Sequence, residues 1–155
     1  MSSPESPAIS GRVAELERLV RELQDRNEIL ELAARYQQLC DGGWDHPTHG
    51  SPDALADLFV PEAEYLVGEP PPRQGREAIR DRFAELQFIP WVVHYLANPI
   101  VVVDGDRAMA QIKGLVQSFH EQARWRHCTY HGEFARTAYG WRFVSWISRM
   151  ADLPE

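Results

Sequence analysis

The second half of this chain, from Trp91 to Arg149, most constrains the fold. Runs rich in valine, isoleucine and aromatic residues alternate there with turn signals, which is the pattern of long paired strands. Asp104-Gly105 separates two such runs, and this dipeptide between apolar runs is a strong hairpin signal. The expected strands are 91–103 and 106–119 in a first hairpin, then 126–137 and 141–149 in a second.

The first half of the chain is predicted to be mainly helical. Apolar residues at helical spacing, separated by charged residues, indicate an exposed segment over about 11–25 that continues into a core helix over about 26–40. The exposed segment packs either on a neighbouring subunit or on its own domain, and both alternatives stay open. Gly42-Gly43 ends the core helix. Further expectations are helices over 52–59 and 76–86, a short strand over 64–68 and a disordered tail over 1–10.

Helices followed by a run of long strands define the fold class. The order predicts an α+β domain in which a curved antiparallel sheet wraps around about three helices, with an extended N-terminal helix. One domain over 11–155 is expected, because a chain of 155 residues matches the usual size of a single domain. Cys40 and Cys128 are too few for a disulfide framework.

Charge and hydropathy exclude several partners. Sixteen basic against 23 acidic residues give a net charge of −7, which argues against nucleic acid or an anionic membrane as the partner. No apolar run approaches the roughly 18–20 residues of a membrane span. The N-terminus has neither the basic start nor the apolar stretch of a signal peptide, so the expected location is the cytoplasm.

Five short stretches carry a family resemblance. They are ARYQQLCD at 34–41, LADLFVPEA at 55–63, GREAI at 75–79, the segment from His94 to Ala108, and YGWRF at 139–143. In this order and spacing the chain resembles the SnoaL-like branch of the nuclear transport factor 2-like superfamily. The resemblance implies a cone-shaped fold with a pocket between sheet and helices. Within the superfamily it is similar to the cofactor-independent dehydratases, the scytalone dehydratase and bile-acid 7α-dehydratase groups.

The resemblance also implies site residues. Those dehydratases have a tyrosine and an aspartate five residues apart and a histidine on a following strand, which here correspond to Tyr36, Asp41 and His94. Arg149 resembles an arginine on the last strand, although its spacing from Trp141 is one residue off. The implied site needs neither a cofactor nor a metal.

Eliminating water β to a carbonyl requires a base, a donor to the developing enolate oxygen and an acid for the departing hydroxyl. His94 suits the first and third tasks, because imidazole takes up and returns a proton near neutral pH. Asp41 would fix its tautomer, and the Tyr36 hydroxyl would polarise the substrate oxygen. The simpler interpretations are a turn-forming Asp41 and a core Tyr36 and His94.

Four further residues are candidates for substrate contact. Asn98 lies on the same predicted strand face as His94, since both alternate with Val92, Leu96, Ile100 and Val102. His127 and His131 share a face of a later strand, which lines the pocket if it turns inward and is surface if it does not. Trp44 lies in the loop after Asp41, where His46 and His49 are interpreted as solvated side chains and not as metal ligands.

The leading hypothesis is a cofactor-independent dehydratase, or a related isomerase or cyclase, acting on a hydrophobic cyclic ketone of steroid-like or polyketide-like character. The alternative is a non-catalytic small-molecule-binding or oligomeric assembly module of the same fold. A homo-oligomer, dimer or trimer, is expected, because an outer sheet face carrying Trp125, Trp141 and Trp146 is hard to leave solvated.

Overall fold

The fold was derived from a computed structural model, which describes residues 7–42, 49–68, 70–119 and 121–152. These ranges contain three helices and six strands, and two of the helices precede the first strand. They are α1 (Pro7–Cys40), α2 (Pro52–Ala56), β1 (Phe59–Val67), β2 (Arg73–Gln74), α3 (Arg76–Leu86), β3 (Trp91–Asp104), β4 (Arg107–Phe119), β5 (Ala123–Thr137) and β6 (Gly140–Asp152).

All six strands form one curved sheet in the order β2-β1-β6-β5-β4-β3. The four long strands are a meander of antiparallel neighbours, so both predicted hairpins are confirmed. The α+β class is confirmed as well. The pairing of β1 with β6 is parallel, which the expectation of a wholly antiparallel sheet did not include.

Some predicted boundaries differ from the observed ones. The two segments expected over 11–40 form one continuous helix, and this helix begins at Pro7, within the stretch expected to be disordered. The helix expected over 52–59 ends at Ala56, because Phe59 already starts β1 beside Phe143 of β6. Its start is as expected: the Ser51 side chain accepts a hydrogen bond from Ala54 N at 3.0 Å and caps α2.

The core lies between the inner face of the sheet and the second half of α1. Its centre is aromatic. The centroid of the Tyr36 ring on α1 lies 5.5 Å from that of Trp146 and 6.0 Å from that of Phe143. Trp141 is also buried, and its indole donates to the Asp25 carboxylate. The expectation that Trp141 and Trp146 lie on the outer sheet face is therefore wrong, whereas Trp125 is exposed there.

A bulge in β3 changes which residues face the core. The β3–β4 register shifts between Ala97 and Ile100, and Asn98 within this interval has a positive φ of 50°. Before the bulge Val92 faces inward, while after it Val101 is buried and Ile100 is exposed. The predicted single face from Val92 to Val102 is wrong beyond Leu96, because the extra residue reverses the alternation.

No helix in the described ranges is long and apolar enough to cross a membrane.

Candidate active site

A cavity opens between the end of α1, helix α3 and the inner face of the sheet. It encloses about 160 Å³ and has a largely apolar wall. Its apolar side chains include Leu39, Leu55, Phe83, Leu86, Ile89, Val92 and Val116. A small number of polar groups interrupt this wall, which is the usual design of a small-molecule site.

His94 is on the cavity wall and is bonded to Asp41. Nδ1 of the imidazole lies 2.7 Å from Asp41 Oδ1, and the two side chains are 9% and 21% exposed. Because an ionised carboxylate only accepts hydrogen bonds, Nδ1 carries the proton in this pair. Nε2 of the neutral ring is then the proton acceptor, and it has no hydrogen-bond partner among the described residues.

The backbone explains why these two residues meet. β3 is the last strand of the sheet, so its outer edge has unpaired amide groups. The residues after α1 fill this edge: Gly42 exchanges two backbone hydrogen bonds with Val92, at 3.0 and 3.1 Å. Asp41 Oδ1 then accepts from His94 N at 3.0 Å as well as from the ring. The carboxylate thus fixes both the strand edge and the imidazole.

Two phenols lie in the same cavity. The hydroxyl oxygens of Tyr36 and Tyr65 are 2.9 Å apart, and both side chains are buried. Burial raises the pKa of Tyr36 well above its ordinary value and raises that of Tyr65 too. Both phenols therefore stay protonated at neutral pH. One hydroxyl proton serves the bond between them, and the other is available to an oxygen atom in the cavity.

His49 and Cys40 complete the wall near the end of α1. His49 Nδ1 lies 2.7 Å from Cys40 O and Nε2 lies 2.6 Å from Ile89 O, so the ring connects α1 to the segment before β3. Gly42 is needed here, because a Cβ at this position would lie 2.8 Å from the His49 ring. Burial raises the pKa of the Cys40 thiol to about 12, so this thiol is not a nucleophile at neutral pH.

Polar and basic groups lie on another part of the wall. Arg82 of α3, Ser118 of β4 and Arg126 of β5 all line the cavity. They provide hydrogen-bond donors and positive charge beside an otherwise apolar space. The guanidinium of Arg82 also forms an ion pair with Glu85 at 3.1 Å, which partly balances its charge within the chain.

The structure brings together some of the predicted site residues and separates others. Tyr36 and His94 line one cavity, and Asp41 bonds His94. Arg149, His127 and His131 are exposed, and each lies next to a buried residue of its strand, which places all three on the outer face. The outward alternative for the two histidines is therefore the correct one, and Arg149 is not in the site.

Of the other two predicted contacts, one lies away from the cavity wall and the other is not among the described residues. Asn98 is exposed at the β3 bulge and does not line the cavity. Trp44, like His46 and His120, lies outside the described residues.

Sequence reasoning missed Tyr65 and Arg126. Ala63, Tyr65 and Val67 alternate inward along β1, but the predicted strand began at Glu64 and was too short to show this period. Arg126 alternates with Cys128 and Tyr130 on the inner face of β5. The described ranges contain no group of three histidine, cysteine or acidic side chains placed to hold a metal ion.

The fold and the site together define a class. A long N-terminal helix packed on a curved six-stranded sheet is the architecture of the nuclear transport factor 2-like proteins. Within that class the chain belongs to the SnoaL-like domain family, whose sequence profile matches residues 21–147. No curated protein sequence matches the chain significantly.

Solved structures agree with this assignment. An NTF2-like protein with a cystatin-like fold from Novosphingobium aromaticivorans is 30% identical, with a TM-score of 0.71 and 87% of each chain covered. A protein provisionally named a scytalone dehydratase, from the same organism, is 18% identical, with a TM-score of 0.72 over 84% of this chain and 86% of that one. A hexachlorocyclohexane dehydrochlorinase (LinA type 2) is 18% identical, with a TM-score of 0.71 over 90% and 93%. At 18% identity these last two show a shared fold.

Proposed function

We propose that this chain is a cofactor-independent lyase of the dehydratase type, or a closely related isomerase, that acts on a hydrophobic cyclic ketone. The observation that carries the proposal is the 2.7 Å bond between His94 Nδ1 and Asp41 Oδ1, with the imidazole on the wall of an apolar cavity. Two similar structures are named for eliminations, a dehydratase and a dehydrochlorinase, which supports the same type of reaction here.

The proposed reaction is a two-step loss of water. His94 Nε2 takes the proton from the carbon next to the carbonyl, and the C–H electron pair forms an enolate. The enolate then collapses, the bond to the β-hydroxyl breaks, and the imidazolium returns its proton to the departing oxygen. Asp41 stabilises the imidazolium between these steps, and the histidine ends as it began.

Tyr36 and Tyr65 stabilise the enolate oxygen in this proposal. Both are neutral donors, because burial raises the pKa of each phenol. Their mutual bond of 2.9 Å orients the pair before the substrate arrives. A preorganised donor to a developing oxyanion is worth about 2.7–4 kcal/mol of transition-state stabilisation in an apolar site.

The cavity volume limits the substrate. An apolar cavity of roughly 150 Å³ holds benzene, so about 160 Å³ accommodates one six-membered ring. A steroid-like or polyketide-like molecule of several rings would place one ring in the cavity and extend the rest through the opening. Arg82 and Ser118 on the wall supply hydrogen-bond donors for a polar substituent on that ring.

The first test measures proton abstraction alone. Cyclohexanone is incubated with the protein in deuterated buffer, and loss of the α-proton signal is followed by NMR. We expect the wild-type protein to exchange the α-protons faster than buffer alone does. The rate with His94→Gln should be about 10²–10⁴-fold lower than the wild-type rate. His127→Gln is the matched control, because His127 lies on the outer face of the sheet, and it should exchange like wild type.

The second test measures elimination, with 3-hydroxycyclohexanone as substrate and the absorbance of the enone product as the signal. His94→Gln should abolish product formation and His127→Gln should preserve it. Equal rates for His94→Gln and wild type in both assays would refute the role of His94. Wild type that binds both ketones but turns over neither would favour the non-catalytic binding module.

A further inference from the structure

The N-terminal part of α1 carries an apolar stripe without a partner in the described chain. Residues 9–24 precede the part of the helix that packs on the sheet, and almost all of them are exposed. The apolar side chains among them are 40–66% exposed. They are Ile9, Val13, Leu16, Leu19, Val20 and Leu23. We call residues 9–24 the arm.

The arm directs its apolar stripe away from its own domain. At about 100° of rotation per residue, the stripe through Val13, Leu16 and Val20 lies on the side of α1 opposite to the core-facing residues Ile29 and Tyr36. The side of the arm that is continuous with the core face is polar instead. It carries Arg18, which forms ion pairs with Glu15 at 2.8 Å and Glu22 at 3.3 Å. In one continuous helix, the arm cannot bury its stripe on its own domain.

The spacing of the stripe is that of a coiled coil. Apolar positions follow one another at alternating intervals of four and three residues, at 9, 13, 16, 20 and 23, and the series continues at 27 and 30. Valine occupies the a positions 13 and 20, and leucine occupies the d positions 16, 23 and 30. β-Branched residues at a with leucine at d favour two parallel strands. The a position 27 is Asn27, a residue that fixes register and strand number in such pairs.

Charges beside the stripe complement one another between two copies. In a parallel pair, a g residue of one helix meets the e residue five positions later in the other. Arg12 at g then meets Glu17 at e. Neither Arg12 nor Glu17 has an ion-pair partner within the described parts of its own chain.

We propose that two copies of this chain associate through a parallel two-stranded coiled coil formed by Ile9–Asn27 of each α1. The sheets lie on the outside of this pair, because the stripe and the core-facing residues occupy opposite sides of the helix. The second copy supplies the apolar burial that a helix of this length needs to be stable in water. The proposal is independent of the reaction proposed for the cavity.

The first experiment measures the molar mass of the full chain by light scattering over a range of protein concentrations. Wild type is expected to be a dimer. Leu16→Glu/Leu23→Glu should raise its dissociation constant at least about a hundredfold, because two leucines per chain leave the seam. The matched control is Ala14→Glu/Arg21→Glu, which adds two glutamates at b positions and should leave the dimer intact.

Circular dichroism and thermal unfolding check that the domain of each variant stays folded. Both leucines are exposed in the single chain, so no loss of folding is expected. A monomeric wild type overturns the proposal, and so does a trimer or a dimer that survives Leu16→Glu/Leu23→Glu. The last result would indicate association through another surface, such as the outer sheet face.

Cysteine cross-linking tests the parallel register. Val13→Cys and Leu23→Cys lie ten residues apart, about 15 Å along the helix. In a parallel in-register pair each residue meets its own copy, so both variants should form a covalent dimer on oxidation. Arg21→Cys, at a b position, should not. An antiparallel pair brings together at most one of the two seam positions, so cross-linking of one or neither overturns the proposal.

Charge exchange tests the pairing of g and e positions. Arg12→Glu should weaken the dimer, since it places two glutamates together in each of two symmetric contacts. Arg12→Glu/Glu17→Arg restores opposite charges and should recover the wild-type dissociation constant. A double variant as weak as Arg12→Glu would contradict this register.

Discussion

The two halves of α1 are turns of one helix, but they have different surroundings. From Asp25 to Cys40 the helix packs on the sheet, and its inward residues include Ile29 and Tyr36 in the core. From Ile9 to Gln24 it has no such support, and the larger apolar residues are exposed on the opposite side. The first region contributes to the cavity, and the second offers a surface to another molecule.

This difference shows that one helix can carry two separate hydrophobic faces. A single amphipathic pattern would align both regions on one side, and the whole helix would then pack on its own sheet. Here the apolar side changes near Asp25, whose carboxylate is bonded to Trp141 and Arg136 of the sheet. The ion pair of Asp25 marks the boundary between the part of α1 that belongs to the fold and the part that extends beyond it.

The largest expected effect tests whether the two halves act separately. Asp41→Asn keeps an oxygen that accepts from His94 but removes the charge that stabilises the imidazolium. We expect the ketone exchange rate to fall by about 10³–10⁴-fold. The dimer should be unchanged by light scattering. A variant with near wild-type exchange would show that Asp41 has only a structural role.

A core substitution and an arm substitution should then differ in whether their effect on the free energy of unfolding depends on protein concentration. Ile29→Ala should lower the free energy of unfolding by about 2–5 kcal/mol at every protein concentration, because it leaves a cavity in the core. Leu16→Ala should destabilise the chain only as far as it weakens the dimer, so its effect varies with concentration. Denaturant titrations at two protein concentrations measure both effects. If the effect of Ile29→Ala also varied with protein concentration, the core and the arm would not act separately.

The boundary ion pair gives a pH-dependent effect of intermediate size. A hydrogen bond from Arg136 holds the pKa of Asp25 below its ordinary value. A carboxyl with a lowered folded pKa adds stability above its unfolded pKa of about 3.9, and this stability is lost as the pH falls through the folded pKa.

Asp25→Asn should therefore cost about 2 kcal/mol at pH 7. The difference in free energy of unfolding between Asp25→Asn and wild type should decrease progressively as the pH falls below about 4. Unfolding titrations from neutral to acidic pH measure it. A difference that stayed constant throughout would mean that the charge of Asp25 is not the cause.

The smallest effect is expected for the exposed ion pairs of the arm. Arg18→Ala removes the contacts with Glu15 and Glu22, but all three side chains are largely solvated. Exposed ion pairs contribute little because water and salt screen them. The denaturation midpoint should equal that of wild type at low and high salt. A clear loss would indicate that this side of the arm contacts something in the assembled protein.

Local patterns sufficed for much of the fold. Asp104-Gly105 placed the first hairpin correctly, and the apolar positions of α3 gave its bounds without error. For the site, the resemblance predicted Tyr36, Asp41 and His94, and the structure brings His94 and Asp41 into contact. Tyr65 and Arg126 were missed because they reach the cavity from β1 and β5, and no sequence spacing links those strands to α1.

The errors have physical causes beyond the reach of periodicity. Asn98 and Ile100 were assigned inward because a strict alternation was assumed, and the bulge reverses it. Trp141 and Trp146 were assigned outward because composition indicates that a residue is apolar but not which face of its strand is covered. Arg149 was carried over from the resemblance, and it directly follows the buried Ser148 on β6, so the alternation of the strand turns it to the outer face.

The sequence by itself determined which segments are helices and strands, because hydrophobic period and turn residues act over a few neighbouring positions. It also contained the heptad spacing of the arm, which depends only on intervals along one helix. Only the tertiary structure decided which faces are inside, and it alone joined Asp41 to His94 and Tyr36 to Tyr65. Such contacts depend on strand order, register and a bulge, and these are set by packing among residues far apart in the chain.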